Sequence, residues 1–123
     1  MKGYVADIEE KTLNNNYFRQ VLFTADHSQL VVMTLQPGEE IGMEVHPEHD
    51  QFFRFEQGEG KVIIDGEESI VKADWAVVVP AGAQHNVINT GQEVMKLYTI
   101  YSPPEHKDGT IHKTKAEAMQ TEH

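Results

Sequence analysis

The chain has 123 residues and a mass of 13.9 kDa, which is the size of a single domain. It contains no cysteine, so disulfide frameworks, thiolate metal sites and thiol catalysis are excluded. Acidic residues outnumber Lys and Arg by 20 to 10, and the resulting net charge of −10 is a poor match to a phosphate backbone, so we expect no nucleic-acid partner.

The distribution of aromatic residues divides the chain into three segments. All of them except Tyr4 lie between Tyr17 and Tyr101. We therefore predict a lead-in, a core and a tail, at residues 1–16, 17–101 and 102–123. No helical pattern of useful length precedes residues 114–119, which could form one or two helical turns.

Apolar residues in the core alternate with a period of two, which is typical of β-strands. The runs are rich in β-branched and aromatic residues and are separated by turn signals, such as Pro37-Gly38 and Asp65-Gly66. Strands are predicted at residues 17–24, 29–35, 41–46, 51–56, 61–65, 69–71, 76–79, 87–89 and 94–101. Many short strands with regular turns indicate an all-β sandwich or barrel.

Alternation also predicts which side chains fill the interior of that barrel. It turns Arg54 outward, because Gln51 and Arg54 have opposite parity. The large apolar residues assigned to the core are Phe53, Phe55, Ile63, Val77, Val79, Val87, Leu97 and Tyr98.

One candidate site lies around residues 44–46. Glu44 and His46 are two positions apart on a predicted strand, so both side chains leave the same face. A carboxylate and an imidazole on one face suit a divalent transition metal. A surface Glu–His pair on an edge strand explains this spacing equally well.

A second candidate site follows the apolar strand at residues 76–79. The chain turns at Pro80 and Gly82 and re-enters the core at His85. His85 and Asn89 share a parity, so both could point into the barrel or both could line a hydrated face.

Taken together, these two segments resemble the two motifs of the cupin superfamily. Pro80, Gly82, His85 and Asn89 match the second motif, Gly-x5-Pro-x-Gly-x2-His-x3-Asn, with Asp74 in place of its first glycine. Aligning the first motif on Gly58 places Gln51 at its Glu and His46 and Glu44 at its two His positions. The resemblance covers residues 17–101 and implies a double-stranded β-helix, a small jelly-roll barrel with one open end.

The resemblance also implies a metal centre. Its ligands would be Glu44, His46, Gln51 and His85, a set that suits divalent Fe, Mn, Ni, Co or Zn. Glu44 replaces a family histidine and Gln51 replaces the family glutamate, so the carboxylate has moved to another ligand position. His49 could take the place of Gln51, but Pro47 bends the chain between His46 and His49 and favours Gln51. Some cupins use glutamine at this position and others have lost their metal.

The expected function follows from this resemblance. It is a divalent-metal-dependent enzyme acting on a small oxygenated metabolite, similar to sugar or uronate isomerases or to dioxygenases. The alternative is a non-catalytic cupin that senses or stores a small ligand or metal. The resemblance assigns no catalytic residue, and it implies a homodimer.

Location and the role of the tail complete the predictions. The first ten residues lack the apolar stretch of a signal peptide and no window is long enough to span a bilayer, so we expect a cytoplasmic protein with no membrane partner. Residues 102–123 could cover the barrel mouth or a partner subunit. His106 and His112, in this polar tail, are expected to be solvent-exposed.

Overall fold

A computed structural model describes residues 2–121 of the chain. Ten strands and two short helices account for its regular structure. In chain order they are α1 (Ile8–Asn14), β1 (Arg19–Thr24), β2 (Gln29–Leu35), β3 (Glu44–Val45), β4 (Asp50–Gln57), β5 (Glu59–Ile64), β6 (Glu67–Lys72), β7 (Ala76–Val79), β8 (Gln84–Ile88), β9 (Met95–Ser102), β10 (Ile111–His112) and α2 (Lys115–Thr121).

The strands form two sheets in which every pairing is antiparallel. The larger sheet has the order β10-β1-β2-β9-β4-β7, and the smaller one has the order β3-β8-β5-β6. Sequence-distant strands lie side by side in both sheets, as the crossed connections of a jelly roll require. The prediction of an all-β jelly-roll barrel is confirmed.

Alternation along the strands places the core between the two sheets. Phe53 and Phe55 on β4, Leu97 on β9 and Val87 on β8 are buried, as predicted. The smaller sheet corrects one assignment, because Val62 rather than Ile63 faces the interior of β5. Tyr98 was also assigned to the core, but it lies only half-buried on the opposite face of β9 from Leu97, since adjacent strand residues point to opposite sides.

One turn and one glycine show how local sequence fixes this arrangement. Asp65 and Gly66 both have positive φ, 48° and 84°, and close the predicted hairpin between β5 and β6. Gly60 lies where β5 passes β8 and β9 closely. A Cβ at this position would overlap the carbonyl oxygen of Ile88 and the terminal methyl of Met95. Glycine is required here because the Ile88 carbonyl belongs to the backbone of the neighbouring strand β8 and cannot move aside.

The strand predicted at residues 41–46 is shorter than expected. Regular pairing is limited to Glu44 and Val45, since Gly42 has a φ of 109° that interrupts the extended backbone. Asn86 accepts a hydrogen bond from the Gly42 amide at 2.9 Å and keeps this irregular segment beside β8. Glu44 is therefore still delivered to the edge of the smaller sheet.

The segments before β1 and after β9 both pack on the barrel. The prediction of no helix before residue 114 is wrong, because α1 begins at Ile8, directly after Asp7, whose side chain accepts a hydrogen bond from the Glu10 amide at 3.2 Å. Lys96 holds the end of this helix by donating to the Leu13 carbonyl at 2.7 Å. In the tail, β10 pairs with β1. Within residues 2–121 no helix has the length and hydrophobicity needed to cross a bilayer.

Candidate metal centre

The four predicted ligands come together at one end of the barrel interior. Glu44 on β3 is paired in register with His85 on β8, and His46 follows β3 directly. Gln51 is the first inward residue of β4 and is 2% exposed. His46 and His85 are also buried, so three of the four side chains are largely removed from solvent.

Distances within this group suit a single small cation. One carboxylate oxygen of Glu44 and one ring nitrogen each from His46 and His85 all lie within 4.8 Å of one another. The Glu44 Oε2 atom is 3.7 Å from His46 Nε2, and the His46 and His85 ring centroids are 5.4 Å apart. Ligands bound to one ion at about 2.1 Å are separated by up to about 4.2 Å. Small side-chain adjustments would therefore allow all three to bind one ion. We call this group, with Gln51, the inner site.

His85 provides a test of whether a cation fits the inner site. Its Nδ1 lies 3.2 Å from the Ala83 carbonyl oxygen and its Nε2 lies 3.1 Å from the Gln51 amide oxygen. A neutral imidazole has one N–H, so it can donate to only one of these two oxygens. If Nδ1 donates to the Ala83 carbonyl, the lone pair of Nε2 faces a lone pair of the Gln51 amide oxygen. A cation between Nε2 and the Gln51 oxygen removes this conflict, so the donor set fits a metal ion.

The orientation of the Gln51 amide is set by β9. Its Nε2 donates to the Thr99 hydroxyl at 3.0 Å, and Thr99 is fully buried. The amide oxygen is thereby turned towards His85 and the interior of the inner site. This contact gives the weakest of the four predicted ligands a defined position.

His49 belongs to a different group of side chains. Its Nε2 is 3.3 Å from a carboxylate oxygen of Glu105 and 3.0 Å from the Pro104 carbonyl oxygen. The other carboxylate oxygen of Glu105 is 3.7 Å from His46 Nδ1. Ligand atoms of His46, His49 and Glu105 again lie within 4.8 Å of one another. Geometry thus groups Gln51, and not His49, with the inner site.

Glu105 was not found by the analysis of the sequence. It lies in the polar tail, more than fifty residues beyond His49, and no spacing rule connects the two. The only signal is Pro103-Pro104 directly after β9, which shows that the chain changes direction there.

Buried polar contacts hold this part of the tail against the barrel. Gln29 is 1% exposed, and its amide oxygen accepts from the backbone amides of Glu105 and His106 at 3.2 and 2.9 Å. Its Nε2 donates to the His106 carbonyl at 2.7 Å. The His106 ring lies 3.2 Å from the Tyr101 hydroxyl. The tail is therefore fixed at the barrel mouth.

The prediction of solvent-exposed tail histidines is wrong for both rings. His112 is buried beside Arg19, with Nδ1 3.2 Å from the guanidinium. Burial, and secondarily the charge of Arg19, lowers the pKa of His106 to about 3, so this ring is neutral at ordinary pH. Polar composition suggested exposure, but pairing of the tail with β1 and the Tyr101 contact cover these rings.

Asn89, the remaining residue of the second motif, has a structural position. Its Nδ2 donates to the carbonyls of Leu35 and Glu93 at 3.0 and 2.9 Å, and its Oδ1 accepts from the Gly91 amide at 3.0 Å. These bonds satisfy the side chain fully in the turn after β8. Asn89 fixes that turn and takes no part in the candidate metal centre.

A cavity of about 300 Å³ opens at the barrel mouth. It is lined by Val45, His46, Pro47, Glu48, His49 and Glu105. A larger depression, of about 430 Å³, lies near Gly58, at the other end of β4. No histidine lines this depression, so the side chains at the barrel mouth are the better candidates for a functional site.

The fold and the inner site together define a class of protein. It is a small antiparallel β-barrel of the double-stranded β-helix type, with imidazole and carboxylate groups converging near its open end. The profile of the cupin-domain family matches residues 31–101, which include all four residues of the inner site. The chain belongs to the cupin family.

Similar proteins match this chain over most of its length. The crystal structure of BH2720 from Bacillus halodurans superimposes with a TM-score of 0.96 at 45% identity, covering 98% of this chain and 96% of that one. Protein YrkC of Bacillus subtilis (strain 168) is 48% identical over 98% of this chain and 68% of its own length. Protein L612 of Acanthamoeba polyphaga mimivirus is 41% identical, with 88% and 70% covered.

Proposed function

We propose that this cupin is a divalent-metal-dependent enzyme acting on a small oxygenated metabolite, in an isomerase-like or dioxygenase-like reaction. The observation that carries the proposal is the convergence of Glu44, His46 and His85 within 4.8 Å of one another. Two imidazoles and one carboxylate suit Fe, Mn, Ni, Co or Zn in the divalent state. Such an ion acts as a Lewis acid or lowers the pKa of bound water.

The chain's own residues would prepare the site for this role. The Ala83 carbonyl would hold the proton on His85 Nδ1 and leave Nε2 free to bind the ion. Thr99 would keep the Gln51 oxygen directed inward. Burial of His46, Gln51 and His85 would limit the access of bulk water to the ion.

The mouth limits which substrates are plausible. A cavity of about 300 Å³ suits a small metabolite better than a polymer. Glu48 and Glu105 line it, and the chain carries a net charge of −10. This charge disfavours anionic substrates that the ion does not itself recruit. Hydroxyl and carbonyl oxygens are therefore the favoured substrate groups.

The test combines metal analysis with turnover. Protein purified without an affinity tag is expected to contain about one equivalent of a transition metal in the inner site and to convert a member of a sugar and keto-acid panel. His85→Ala should lose the ion of the inner site and the turnover. His27→Ala is the matched control, because His27 is exposed in the β1–β2 hairpin.

Three outcomes separate the candidate functions. Loss of the inner-site ion and of turnover in His85→Ala, but not in His27→Ala, supports the enzyme. Stoichiometric binding of a panel compound without turnover would support a sensor or storage protein instead. Full metal content and turnover in His85→Ala would contradict the proposed centre.

We also propose that the chain forms a homodimer through the outer face of the larger sheet. Cross-strand neighbours form an uncharged apolar row across five strands of this face, consisting of Phe23, Leu30, Ile100, Phe52 and Val78. Two copies with a charge of −10 repel each other, so contact through an uncharged row is favoured. A second copy offers the same uncharged row.

Sedimentation velocity tests the dimer. Val78→Lys should yield monomers, because Val78 is 65% exposed at the edge of the row. Ile70→Lys is the control, since Ile70 is equally exposed at 65% but lies on the smaller sheet. A monomeric wild-type protein, or a dimer that survives Val78→Lys, would contradict this interface.

A further inference from the structure

We propose a second cation site at the barrel rim, formed by His46 Nδ1, His49 Nε2 and the Glu105 carboxylate. We call this group the rim site. It rests on residues that the inner site does not use, apart from His46, which both sites share. It goes beyond the proposed function, which needs only the inner site.

The shared histidine has a carboxylate beside each ring nitrogen. Glu44 Oε2 lies 3.7 Å from Nε2, and Glu105 Oε1 lies 3.7 Å from Nδ1. Both distances exceed the range of about 2.7–3.2 Å for a hydrogen bond. Each distance fits a ring nitrogen and a carboxylate oxygen that bind the same ion at about 2.1 Å, with a wide angle between the two bonds.

The rim also supplies further donors at suitable distances. His49 Nε2 lies 3.3 Å from Glu105 Oε2 and 3.0 Å from the Pro104 carbonyl oxygen. Without a cation, His49 donates a shared proton to these oxygens. A cation replaces that proton and turns the same atoms into ligands, two imidazole nitrogens and a carboxylate with the carbonyl nearby. Such a mixture suits zinc or copper.

The rim site is accessible and positioned in advance. The cavity of about 300 Å³ at the mouth is lined by all three of its residues, which leaves room for an ion and water ligands. The Gln29 side-chain oxygen accepts a hydrogen bond from the Glu105 backbone N–H at 3.2 Å. This bond positions Glu105 and does not involve its carboxylate. Substitution of the carboxylate should therefore leave the segment in place.

Simultaneous occupation of both sites makes the His46 ring a bridge. Two ions bound at about 2.1 Å to the two nitrogens of one ring are about 6 Å apart. For this, His46 must release its remaining ring proton to solvent and bind as an imidazolate. Glu44 and Glu105 place one carboxylate beside each ring nitrogen of this bridge.

Zinc titration of the untagged full chain, followed by calorimetry and elemental analysis, tests the rim site. We expect two zinc ions per wild-type chain and one in Glu105→Gln or His49→Gln. Glu44→Gln and His85→Ala should each retain one ion, at the rim, and His46→Ala should bind none. Glu48→Gln is the matched control, because Glu48 lines the same cavity but belongs to neither site.

Copper provides a second measurement that does not depend on stoichiometry. Two Cu²⁺ ions joined by one imidazolate should couple magnetically, so the wild-type signal in electron paramagnetic resonance should be weaker than two isolated ions give. Glu105→Gln should restore the signal of one isolated ion. This readout is independent of any turnover.

The outcomes distinguish the rim site from the inner site. The rim site is overturned if the wild type binds one zinc ion and Glu105→Gln also binds one, even with lower affinity. One ion that is lost in Glu105→Gln but kept in His85→Ala removes the inner site and leaves the rim site standing. Two ions with no copper coupling would overturn the bridge formed by His46.

Discussion

The two ends of the barrel interior are built from the same strands but differ in chemistry. On β4 the inward residues change from Phe55 and Phe53 to Gln51, and on β9 they change from Leu97 to Thr99. All of these side chains are buried. The backbone geometry is continuous, so side-chain identity alone separates an apolar end from a polar end.

This difference shows how one fold divides stability and function. At the apolar end, burial of hydrocarbon stabilises the sheets without any directional requirement. At the polar end, buried groups lose hydration and regain it only through specific partners, as Gln51 does with Thr99. Substitutions at the apolar end should therefore change the free energy of unfolding, and substitutions at the polar end should change ion binding as well.

Truncation at the apolar end should have the largest effect on stability. Phe55 is fully buried, so Phe55→Ala should lower the free energy of unfolding by about 3–5 kcal/mol through lost burial and a cavity. Chemical denaturation measures this loss. Zinc stoichiometry should be unchanged in the folded variant. Ile70→Ala, at an exposed position of the smaller sheet outside the proposed dimer interface, is the control and should cost less. Loss of zinc binding by folded Phe55→Ala would show that the two ends are not independent.

A carboxylate introduced at the polar end should destabilise the metal-free protein and strengthen its binding of zinc. Gln51→Glu places a second acid near Glu44 in a buried position, so the metal-free protein should lose about 2–3 kcal/mol of stability. Zinc bound in the inner site should then stabilise the variant more than the wild type, with an affinity at least about tenfold higher. Thermal unfolding with and without zinc measures both effects. A variant with weaker zinc binding would argue against Gln51 as a ligand.

The sequence was sufficient to predict most of the barrel because its signals are local. Alternation and the Asp65-Gly66 turn specify strands and a hairpin, and the structure has both. The helix α1 was missed since its sequence, Ile-Glu-Glu-Lys-Thr-Leu-Asn, has no long apolar stripe. It is held in place by a tertiary contact, the hydrogen bonds from Lys96, which no local pattern reveals.

The residues of the inner site could be predicted from the sequence, because the spacing of the two motifs specifies their positions. Glu44, His46, Gln51 and His85 occupy motif positions, and the fold brings them together. Glu105 was beyond such reasoning, because its place depends on the path of the tail after β9 and on the buried amide of Gln29. Likewise, the burial of His112 depends on strand pairing between chain ends.

The anchor of the tail should influence the rim site without being a ligand. Gln29→Ala removes the bonds to Glu105 and His106 and should lower the free energy of unfolding by about 2 kcal/mol. Zinc affinity at the rim should fall about 10–100-fold, while the inner site keeps its ion. Calorimetric titration measures the two affinities separately. Thr24→Val is the control, since it removes another contact of the Gln29 amide and leaves the tail bonds intact. Equal weakening at both sites would contradict this role.

The smallest change lies at the boundary between the two ends. Thr99→Val keeps the size of the side chain but removes the hydroxyl that accepts from Gln51, so the amide loses its anchor. The expected cost is about 1 kcal/mol in unfolding free energy, together with weaker zinc binding at the inner site, both read from zinc-dependent thermal unfolding. Thr34→Val is the control for a buried hydroxyl outside the site, because Thr34 bonds to Asn15. If both variants bound zinc as the wild type does, the Thr99 hydroxyl would contribute only to packing and would not position the Gln51 ligand. Gln51 would then be the first residue of the polar end.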